Sequence, residues 1–369
     1  MRDYEEMSAD SLWNALLNRA RDSGGAKRRR IRHKALPWPE VPTLGLAAFP
    51  SMSPPQASEL SRKFRLDREV AHGAYGVVYR ATNRDTGDAV AVKVVVDKQG
   101  RCEGRELYFL KHVQGSEFVV KLHDGLASPF WAAIVTDVLP CSLRQYQRSR
   151  GVVRVVPQHH ATGIALHIAK AVSHIHSRHV LHRDVHAENI LLRFQGDSAQ
   201  AVLCDFGLGS FVHEAEMRAR HRSGGITQSW HRAPEVFFAA GSAFDSKGKW
   251  IGPRTAKYGA GVDVWGWGVV SMSMALSPPL YGGETDLATA MNLVKVLGMR
   301  PSDLPAFNSS VKSLQVVLHK GFLMEGRGTW PETYWREQFF MLLRSALRFN
   351  PGDRPSAEEI VRSWDSIEG

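Results

Sequence analysis

The chain has 369 residues, of which 43% are apolar and 23% charged, so it can bury a large core and has the composition of a soluble globular protein. No apolar run approaches the roughly 20 residues that cross a bilayer, and the N-terminus lacks the pattern of a secretory signal, so we expect an intracellular protein without membrane contact. The net charge of +10 favours acidic partners, while Cys102, Cys141 and Cys204 form no CxxC pair and support neither a disulfide framework nor a cysteine zinc site.

Residues 1–60 differ in composition from the rest and are predicted to form a flexible basic arm. The cluster KRRRIRHK at 27–34 holds six Lys/Arg in eight positions, which is typical of a nuclear import signal that an import receptor binds. An electrostatic contact with nucleic acid is a second interpretation, and a solvated tail without a receptor is the third. Because no basic platform with interleaved aromatic residues accompanies the cluster, we expect nucleic acid only at this arm and a nuclear location.

The residues after the arm predict a small β-sheet with one helix. Runs rich in β-branched residues lie at 77–82, 89–96 and 132–139. Between the second and third runs, Glu106, Leu110 and Val113 share one face of a predicted helix at i, i+4, i+7 spacing.

After Pro140 the pattern becomes helical. An apolar stripe runs through 161–179, and the stretch 264–274 is apolar nearly all round, as in a helix buried within a larger lobe. Near the end of the chain, Ser356 and Glu359 form a capping box for a last helix. We therefore predict an α+β fold with two lobes, a β-sheet lobe with one helix at 61–139 and a mainly helical lobe at 140–366.

The first segment with chemical meaning is AHGAYGVV, a predicted hairpin whose Gly73 and Gly76 allow a backbone to approach phosphates closely. Lys93 lies 17 residues beyond Gly76, on the next strand, and interrupts a run of valines. A lysine buried in this way needs a partner, and Glu106 on the apolar face of the following helix is the natural one.

The strongest signal is HRDVHAENILL at 182–192. Asp184 can accept the proton of an acceptor hydroxyl, and Asn189 can hold a metal ion. Sixteen residues after Asn189, the segment CDFGLG supplies Asp205, whose carboxylate suits magnesium between two phosphates. A phosphate cover, a cation, a base and two metal ligands in this order predict phosphoryl transfer.

Residues 64–366 resemble the eukaryotic protein kinase domain. The resemblance implies a two-lobed kinase fold, ATP and Mg²⁺ as cofactors, and protein substrates. It also implies an ion pair between Glu235 and Arg354, and a role for Asp263 in anchoring the catalytic segment from a buried helix. The segment WHRAPE resembles the WYRAPE of cyclin-dependent kinases, which favours serine and threonine as acceptors. Loose motifs and abundant arginine also resemble kinases of large DNA viruses, including herpesviruses.

The resemblance assigns a role to each site residue. The predicted catalytic residues are Asp184, Lys93, Glu106, His186 and Asn189. The predicted metal ligands are Asn189 and Asp205. The predicted nucleotide-binding residues are Ala71, His72, Gly73, Ala74, Tyr75, Gly76, Val78, Ala91, Lys93, Thr136, Asp137, Leu139, Leu191 and Cys204. Within that set, Tyr75 lies at the hairpin tip, Thr136 lies at the back of the adenine pocket, and the backbone of Asp137 to Leu139 binds the adenine edge.

The chain departs from the family pattern at three places. Ala71 replaces the first glycine of the phosphate-covering loop, and Gln228 stands where a threonine is usual, with Thr227 and Ser229 on either side. His186 replaces a lysine that neutralises the moving phosphoryl group. Because free histidine is mostly uncharged at neutral pH, the hypothesis is slow, pH-sensitive turnover that His186→Lys restores. These departures support the alternative of a pseudokinase, a scaffold that binds nucleotide or partners without turnover.

The sequence is compatible with two modes of regulation. Arg183, beside Asp184, is of a type that pairs with a phosphate, which predicts control by phosphorylation in the loop 208–229. The candidate hydroxyls in that loop are Ser210, Ser223, Thr227 and Ser229. Constitutive activity is the alternative. The residues 236–262 are longer than the family pattern and are interpreted as a surface insertion with a docking role, and Glu188 favours arginine before the target residue.

Overall fold

The computed structural model describes residues 60–73, 76–96, 104–127, 131–151, 155–211, 220–223, 231–239, 243–244, 246–247, 249–251, 255–275, 285–286, 288–289, 292–293 and 337–368. The chain forms two compact units, Met1–Pro140 and Cys141–Gly369. The predicted arm at 1–60 lies outside the described residues except for Leu60. This residue is 2% exposed and packs in the core of the first unit.

The first unit is an antiparallel five-stranded sheet with the order β1-β2-β3-β5-β4. Its elements are β1 (Phe64–Gly73), β2 (Gly76–Asn83), β3 (Ala89–Val96), α1 (Arg105–His112), β4 (Leu122–Ala127) and β5 (Trp131–Asp137). All three predicted strand runs and the predicted helix are present. Val113, predicted to lie within that helix, is its C-terminal cap residue.

The two faces of this sheet differ in what they carry. On one face, Val77, Val92, Val94 and Val135 pack into the apolar core that also includes Leu60. The residues between them point the other way because side chains alternate along a strand. That second face is half-buried and carries several residues of the predicted nucleotide site, described below.

Gly76 has a structural reason to lack a side chain. A Cβ atom built at this position would lie 2.2 Å from the carbonyl oxygen of Val94 on the neighbouring strand. Backbone atoms cannot give way to such a contact without distorting the β2–β3 ladder. Close strand packing therefore requires glycine here, whether or not a phosphate approaches the hairpin.

The second unit is mainly helical. Its helices are α2 (Leu143–Ser149), α3 (Gln158–Ser177), α4 (Pro234–Phe237), α5 (Gly261–Ala275), α6 (Glu337–Ala346) and α7 (Ala357–Glu368), with 3₁₀ turns at Phe206–Leu208 and Pro351–Asp353. The predicted capping box begins α7, because Ser356 N–H donates to Glu359 at 2.7 Å and Glu359 N–H donates to Ser356 Oγ at 3.2 Å. The predicted fold class, α+β with a sheet unit and a helical unit, is confirmed.

Helices α3 and α5 form the centre of this unit. The buried stripe of α3 includes Ile164, Ile168 and Ile175, and α5 is buried on nearly all sides, as its uniform apolar composition predicts. Trp267 on α5 donates from its indole N–H to the carbonyl of Ala165 at 2.7 Å. Gly266 lets α5 approach Val185, whose carbonyl oxygen would lie 2.8 Å from a Cβ at that position. The buried helix thus lies directly beneath the segment that carries Asp184.

Short antiparallel strands position the remaining segments. They are β6 (Cys141–Ser142), β7 (Val180–Leu181), β8 (Ile190–Gln195), β9 (Ser198–Leu203), β10 (Ser210–Phe211), β11 (Arg220–Ser223), β12 (Ala243–Phe244), β13 (Trp250–Ile251) and β14 (Thr255–Tyr258). The pairs are β10 with β7, β11 with β14, and β12 with β13, and β8 lies between β6 and β9. No helix among the described residues is both long and apolar enough to span a membrane.

Candidate active site

The segment between β7 and β8 brings Asp184 and Asn189 together. The side-chain amide of Asn189 donates to the carbonyl oxygen of Asp184 at 3.0 Å and to its carboxylate Oδ2 at 3.2 Å. The other carboxylate oxygen, Oδ1, is buried and has no hydrogen-bond partner among the residues that the structure describes. A buried carboxylate oxygen without a partner is costly in a purely structural role, so this atom is a candidate for chemistry.

The chain that leads to Asp205 is hydrogen-bonded to the same segment. Cys204 N–H donates to the carbonyl of Asn189 at 2.9 Å, and the His182 ring nitrogen Nε2 donates to the carbonyl of Cys204 at 3.0 Å. The second ring nitrogen of His182 accepts the backbone N–H of Asp184 at 3.3 Å. Complete burial lowers the pKa of His182, which keeps the ring neutral and able to donate and accept at once. Asp205 therefore follows directly after a residue bonded on both sides to the Asp184 segment.

Backbone strain is concentrated at this place. Arg183 and Asp205 adopt left-handed φ values of 68° and 65°, which non-glycine residues rarely do. Each such residue costs about 1–3 kcal/mol and persists only where its surroundings enforce it. The Asp205 carboxylate accepts the backbone N–H of Gly207 at 3.2 Å, which supports the turn that follows. Strained backbone at Arg183 and at Asp205 is typical of a site that holds side chains for a reaction.

Asp263 on α5 holds the catalytic segment from below, as the resemblance implied. Its carboxylate accepts the backbone N–H groups of His182 at 2.9 Å and Arg183 at 2.7 Å, and the ring of His176 at 2.9 Å. Burial works to raise the pKa of Asp263, but the hydrogen bond and charge of His176 and the backbone donors outweigh it, so the pKa lies below its ordinary range. The anchor is therefore a stable anion that fixes the backbone on both sides of His182.

His186 lies against Asp184. Its Nε2 is 3.3 Å from Asp184 Oδ2, and its Nδ1 accepts the backbone N–H of Glu188 at 3.2 Å. Because Nδ1 is an acceptor, the neutral ring carries its proton on Nε2, the nitrogen that faces Asp184. The His231 ring is 5.5 Å away, and burial together with the charges of His186 and Arg144 lowers the pKa of His231 to about 3.

Lys93 and Glu106 form an ion pair in the first unit. Lys93 Nζ lies 2.8 Å from Glu106 Oε2 and 2.9 Å from Oε1, and both side chains are less than one fifth exposed. Lys93 on β3 is thereby fixed to helix α1, the partner that its burial required. The structure forms the contact that the sequence predicted, while the role of this pair toward phosphates stays a prediction.

Several predicted adenine-site residues share the second face of the sheet. Strand register places Val78 beside Lys93 and Ala91 beside Thr136, and these four side chains are half-buried. Ala71 pairs with Val78 on the next strand. The backbone N–H of Asp137 donates to the carbonyl of Lys121 at 3.2 Å, the Asp137 carbonyl accepts the Thr136 hydroxyl at 3.4 Å, and Leu139 is buried. Binding of the adenine edge by the backbone of Asp137 to Leu139 stays a prediction.

Other predicted residues belong to the second unit or lie outside the described parts. Leu191 on β8 and Cys204 after β9 belong to the second unit, where both are half-buried. Ala74 and Tyr75 lie outside the described residues, as does the side chain of His72, whereas the backbone of Gly73 ends β1. The same holds for Thr227, Gln228 and Ser229, so the displaced threonine stays a prediction.

The implied scaffold pair is present. Arg354 donates from its two terminal nitrogens to the two oxygens of Glu235 at 2.8 and 2.7 Å. It also donates to the carbonyls of Arg348, Phe349 and Gly261. A two-pronged guanidinium–carboxylate pair with every donor engaged is strong and directional, and it ties α4 to the start of α5.

Two histidines of α3 have ordinary structural partners. His167 accepts the backbone N–H of Ala201, and His176 bonds Asp263. Among the described residues, the one group with metal-ligand spacing is His159, His160 and Asp197. Both ring nitrogens of His160 already bond, to Tyr146 Oη at 2.8 Å and to the carbonyl of Asp197 at 2.9 Å, and the Asp197 carboxylate is 90% exposed. Hydrogen bonding accounts for this group without a metal ion.

Two residues near the site were missed by sequence reasoning. Tyr258, within the predicted surface insertion, is completely buried, and its hydroxyl lies 3.1 Å from Arg183 Nη1. Val236 and Phe237, at the other end of that segment, are also buried, so the interpretation as a surface insertion is wrong at both ends. His231 lies within WHRAPE, and sequence reasoning assigned it no role of its own. The contact of Tyr258 with Arg183 has no local sequence signal, because 75 residues separate the two.

The oxygen set fits a divalent cation. Asp205 offers a carboxylate, and Asn189, whose amide nitrogen faces Asp184, offers its amide oxygen; Mg²⁺ prefers such hard ligands. Residues 64–364 match the family model described as protein kinase domain. The chain therefore belongs to the protein kinase domain family.

Its relatives are kinases of low overall identity. Mitogen-activated protein kinase 15 of Xenopus laevis is 27% identical over 325 residues, which cover 84% of this chain and 51% of that protein. Mitogen-activated protein kinase 5 of Oryza sativa subsp. indica is 25% identical over 304 residues, covering 79% and 75%. Cyclin-dependent kinase 7 of Caenorhabditis elegans is 24% identical over 247 residues, covering 65% and 68%. The chain thus spans about half the length of the Xenopus relative.

Proposed function

We propose that this protein kinase transfers the γ-phosphate of ATP to serine and threonine hydroxyls of other proteins. The observation that carries the proposal is the joined set of Asp184, Asn189 and the Cys204–Asp205 backbone, which unites a base and two oxygen ligands. Phosphoryl transfer needs positioning and charge stabilisation more than covalent help, and this set is built for both.

Asp184 is the residue that meets the acceptor. Its buried Oδ1, without a partner among the described residues, is available to accept the hydroxyl proton as the oxygen attacks. Oδ2 is held by Asn189 and faces His186, which orients the carboxylate. The proton thus passes from the acceptor hydroxyl to Asp184 Oδ1 as the acceptor oxygen forms its bond to the γ-phosphorus. The bond from that phosphorus to the β–γ bridging oxygen breaks, and ADP leaves with the electron pair.

Asn189 and Asp205 would hold a divalent cation, with Mg²⁺ the natural choice. When bound, the cation neutralises negative charge on neighbouring phosphate oxygens. Lys93, fixed by Glu106, would add a fixed positive charge for the α- and β-phosphates. The glycine hairpin at 71–76 would cover the phosphates, and the half-buried face with Val78 and Ala91 would receive the adenine ring.

Serine/threonine specificity rests on two supports. The relatives named above are mitogen-activated and cyclin-dependent kinases, and WHRAPE resembles the form found in cyclin-dependent kinases. Identity of 24–27% is low, so the acceptor must be tested directly. A preference for arginine before the target residue, through Glu188, has weaker support because Arg148 already lies 3.9 Å from that carboxylate.

The test uses the full chain with γ-labelled ATP, Mg²⁺ and matched peptide libraries that carry serine, threonine or tyrosine as the sole acceptor. We expect label on serine and threonine peptides and none with Asp184→Asn. Label on tyrosine peptides alone would contradict the specificity. Nucleotide binding without any transfer by the parent protein would favour the pseudokinase alternative.

The basic cluster at 27–34 lies outside the described residues. We propose that it is a nuclear import signal that an import receptor binds. Six positive charges in eight residues suit recognition by an acidic receptor groove. A fluorescent full-length fusion should accumulate in the nucleus, and replacement of Arg28, Arg29 and Arg30 by alanine should disperse it. Unchanged distribution of that variant would exclude the import role.

A further inference from the structure

The guanidinium of Arg183 is occupied by the chain itself. Nε donates to the carbonyl of Leu208 at 2.6 Å, Nη2 donates to the carbonyl of Gly209 at 3.3 Å, and Nη1 donates to the hydroxyl of Tyr258 at 3.1 Å. Arg183 is 6% exposed, and a buried cation is tolerated only when its donors are bonded. These three acceptors carry no formal charge, so they stabilise the cation through oriented dipoles.

Tyr258 connects this arginine to the loop that follows Asp205. It is the last residue of β14, which pairs antiparallel with β11. The register sets Tyr258 opposite Arg220, and Thr255 opposite Ser223. The backbone of Tyr258 therefore pairs with the loop strand β11, and its hydroxyl accepts a hydrogen bond from Arg183, the residue before Asp184.

The loop has a second attachment at its beginning. Strand β10 pairs with β7, with Ser210 opposite Leu181 and Phe211 opposite Val180. Arg183 bonds the two residues just before β10, so the start of the loop is fixed by backbone and side chain together. Segments 208–211 and 220–223 are thus both attached to elements of the second unit without any added group.

We propose that Tyr258 is a positioning residue that holds Arg183 and the loop segments 208–211 and 220–223 in the active arrangement, so that activity needs no phosphate between Asp205 and Glu235. The inference rests on the proposed kinase function and chooses between the two modes of regulation left open by the sequence. A loop phosphate would have to compete with acceptors that Arg183 already has. The ladder between β11 and β14 does the ordering that a phosphate would otherwise do.

The first experiment uses the parent protein. Full-length kinase is treated with a broad phosphatase, loss of phosphate between 205 and 235 is verified by mass spectrometry, and the initial rate of peptide phosphorylation is compared with that of untreated protein. Ser223→Ala, in β11, is assayed beside them. We expect equal rates for all three.

The second experiment changes Tyr258 to phenylalanine, which removes the hydroxyl and keeps the ring. Loss of a hydrogen bond to a buried charged donor should lower kcat roughly tenfold, with the KM for ATP unchanged, after correction for folded fraction. Hydrogen exchange should quicken in 205–211 and 220–223 and not elsewhere. Tyr146→Phe is the matched control, because Tyr146 is also buried and bonds a side chain, His160, through its hydroxyl.

The outcomes separate the two claims. Dephosphorylated parent protein that loses activity and regains it when the phosphate is restored would overturn this inference and leave the kinase function intact. A folded Tyr258→Phe protein that keeps the parent kcat would overturn it in the same way. If Tyr258→Phe does not fold, the phosphatase comparison decides. If treated and untreated parent protein both phosphorylate the peptide no faster than Asp184→Asn, that result contradicts the proposed function itself.

Discussion

The side-chain amide of Asn189 bonds Asp184 twice, at the carbonyl and at the carboxylate, with distances of 3.0 and 3.2 Å. This contact sets the amide nitrogen toward the base and leaves the amide oxygen as the ligand that Asn189 can offer a cation. In the proposed mechanism this one residue would have two tasks, because it would orient the base and would hold the cation together with Asp205. The catalytic predictions depend on this arrangement.

Asp205→Asn should uncouple nucleotide binding from magnesium. The parent protein should bind ATP more tightly with Mg²⁺ than with EDTA, because the carboxylate supplies a negatively charged oxygen ligand that an amide does not. We expect the variant to bind ATP equally under both conditions, as measured by isothermal titration calorimetry. Asp197→Asn, at an exposed hairpin, is the control and should keep the magnesium dependence. A variant as magnesium-dependent as the parent would exclude Asp205 as a ligand.

Lys93→Met should lower phosphoryl transfer roughly a hundredfold, because a fixed charge that stabilises the transition state is removed. The first unit contains a matched control in Lys63, whose Nζ lies 2.9 Å from Asp124, almost the same separation as between Lys93 and Glu106. Lys63→Met removes an ion pair of the same kind without touching the predicted site. Equal loss of activity in both variants would show that the effect is general destabilisation.

His186→Lys should raise kcat at neutral pH. His186 presents its Nε2 to Asp184 Oδ2, whereas lysine would add a permanent positive charge where the phosphoryl group would move. His159→Lys, which adds the same charge at an exposed position, is the control. Initial rates at saturating ATP give the comparison, and a rate equal to or below that of the parent would contradict this role for His186.

Asp263→Asn should destabilise the second unit by about 3 kcal/mol, because an amide group replaces one of two buried acceptors and faces N–H donors. The folded pKa of Asp263 is lowered, so its stabilising effect is present above the unfolded value of about 3.9 and is lost as pH falls through the folded value. Urea unfolding should therefore show a shallower acid dependence in the variant below that pH. Asp365→Asn, at an exposed position of α7, is the control and should have the same stability and acid dependence as the parent.

His231 predicts a second pH effect at milder acidity. Its folded pKa of about 3 lies below the ordinary value of 6.5. Between these two pH values the unfolded chain therefore binds a proton at His231 that the folded chain does not bind. Stability should fall as pH drops from about 6.5 toward 3, by up to about 1.4 kcal/mol per pH unit. His231→Gln should remove this slope in urea unfolding, and His159→Gln should not. An unchanged slope in His231→Gln would show that another group is responsible.

The residues that sequence reasoning placed well have a local physical signal. Lys93 interrupts a run of valines and needs a buried acid, which made Glu106 predictable. A run of β-branched residues predicted β3, and a capping box predicted the start of α7. Tyr258 has no such signal, because its contact with Arg183 depends on how a distant insertion returns to the core. The sequence indicated that Gly76 must be glycine so that the backbone can approach phosphates. The structure adds a second reason, because the carbonyl of Val94 lies too close for any side chain.

The central claim is that Asp184 accepts the proton while Asn189 and Asp205 hold the cation for γ-phosphate transfer. The most direct measurement is the initial rate of label transfer from γ-labelled ATP and Mg²⁺ to a serine peptide by the parent, Asp184→Asn and Asp197→Asn, with ATP affinity measured in parallel. The account predicts that Asp184→Asn loses at least about a hundredfold in rate and keeps ATP affinity, whereas Asp197→Asn is unchanged. A folded Asp184→Asn protein that phosphorylates the peptide as fast as the parent would contradict it.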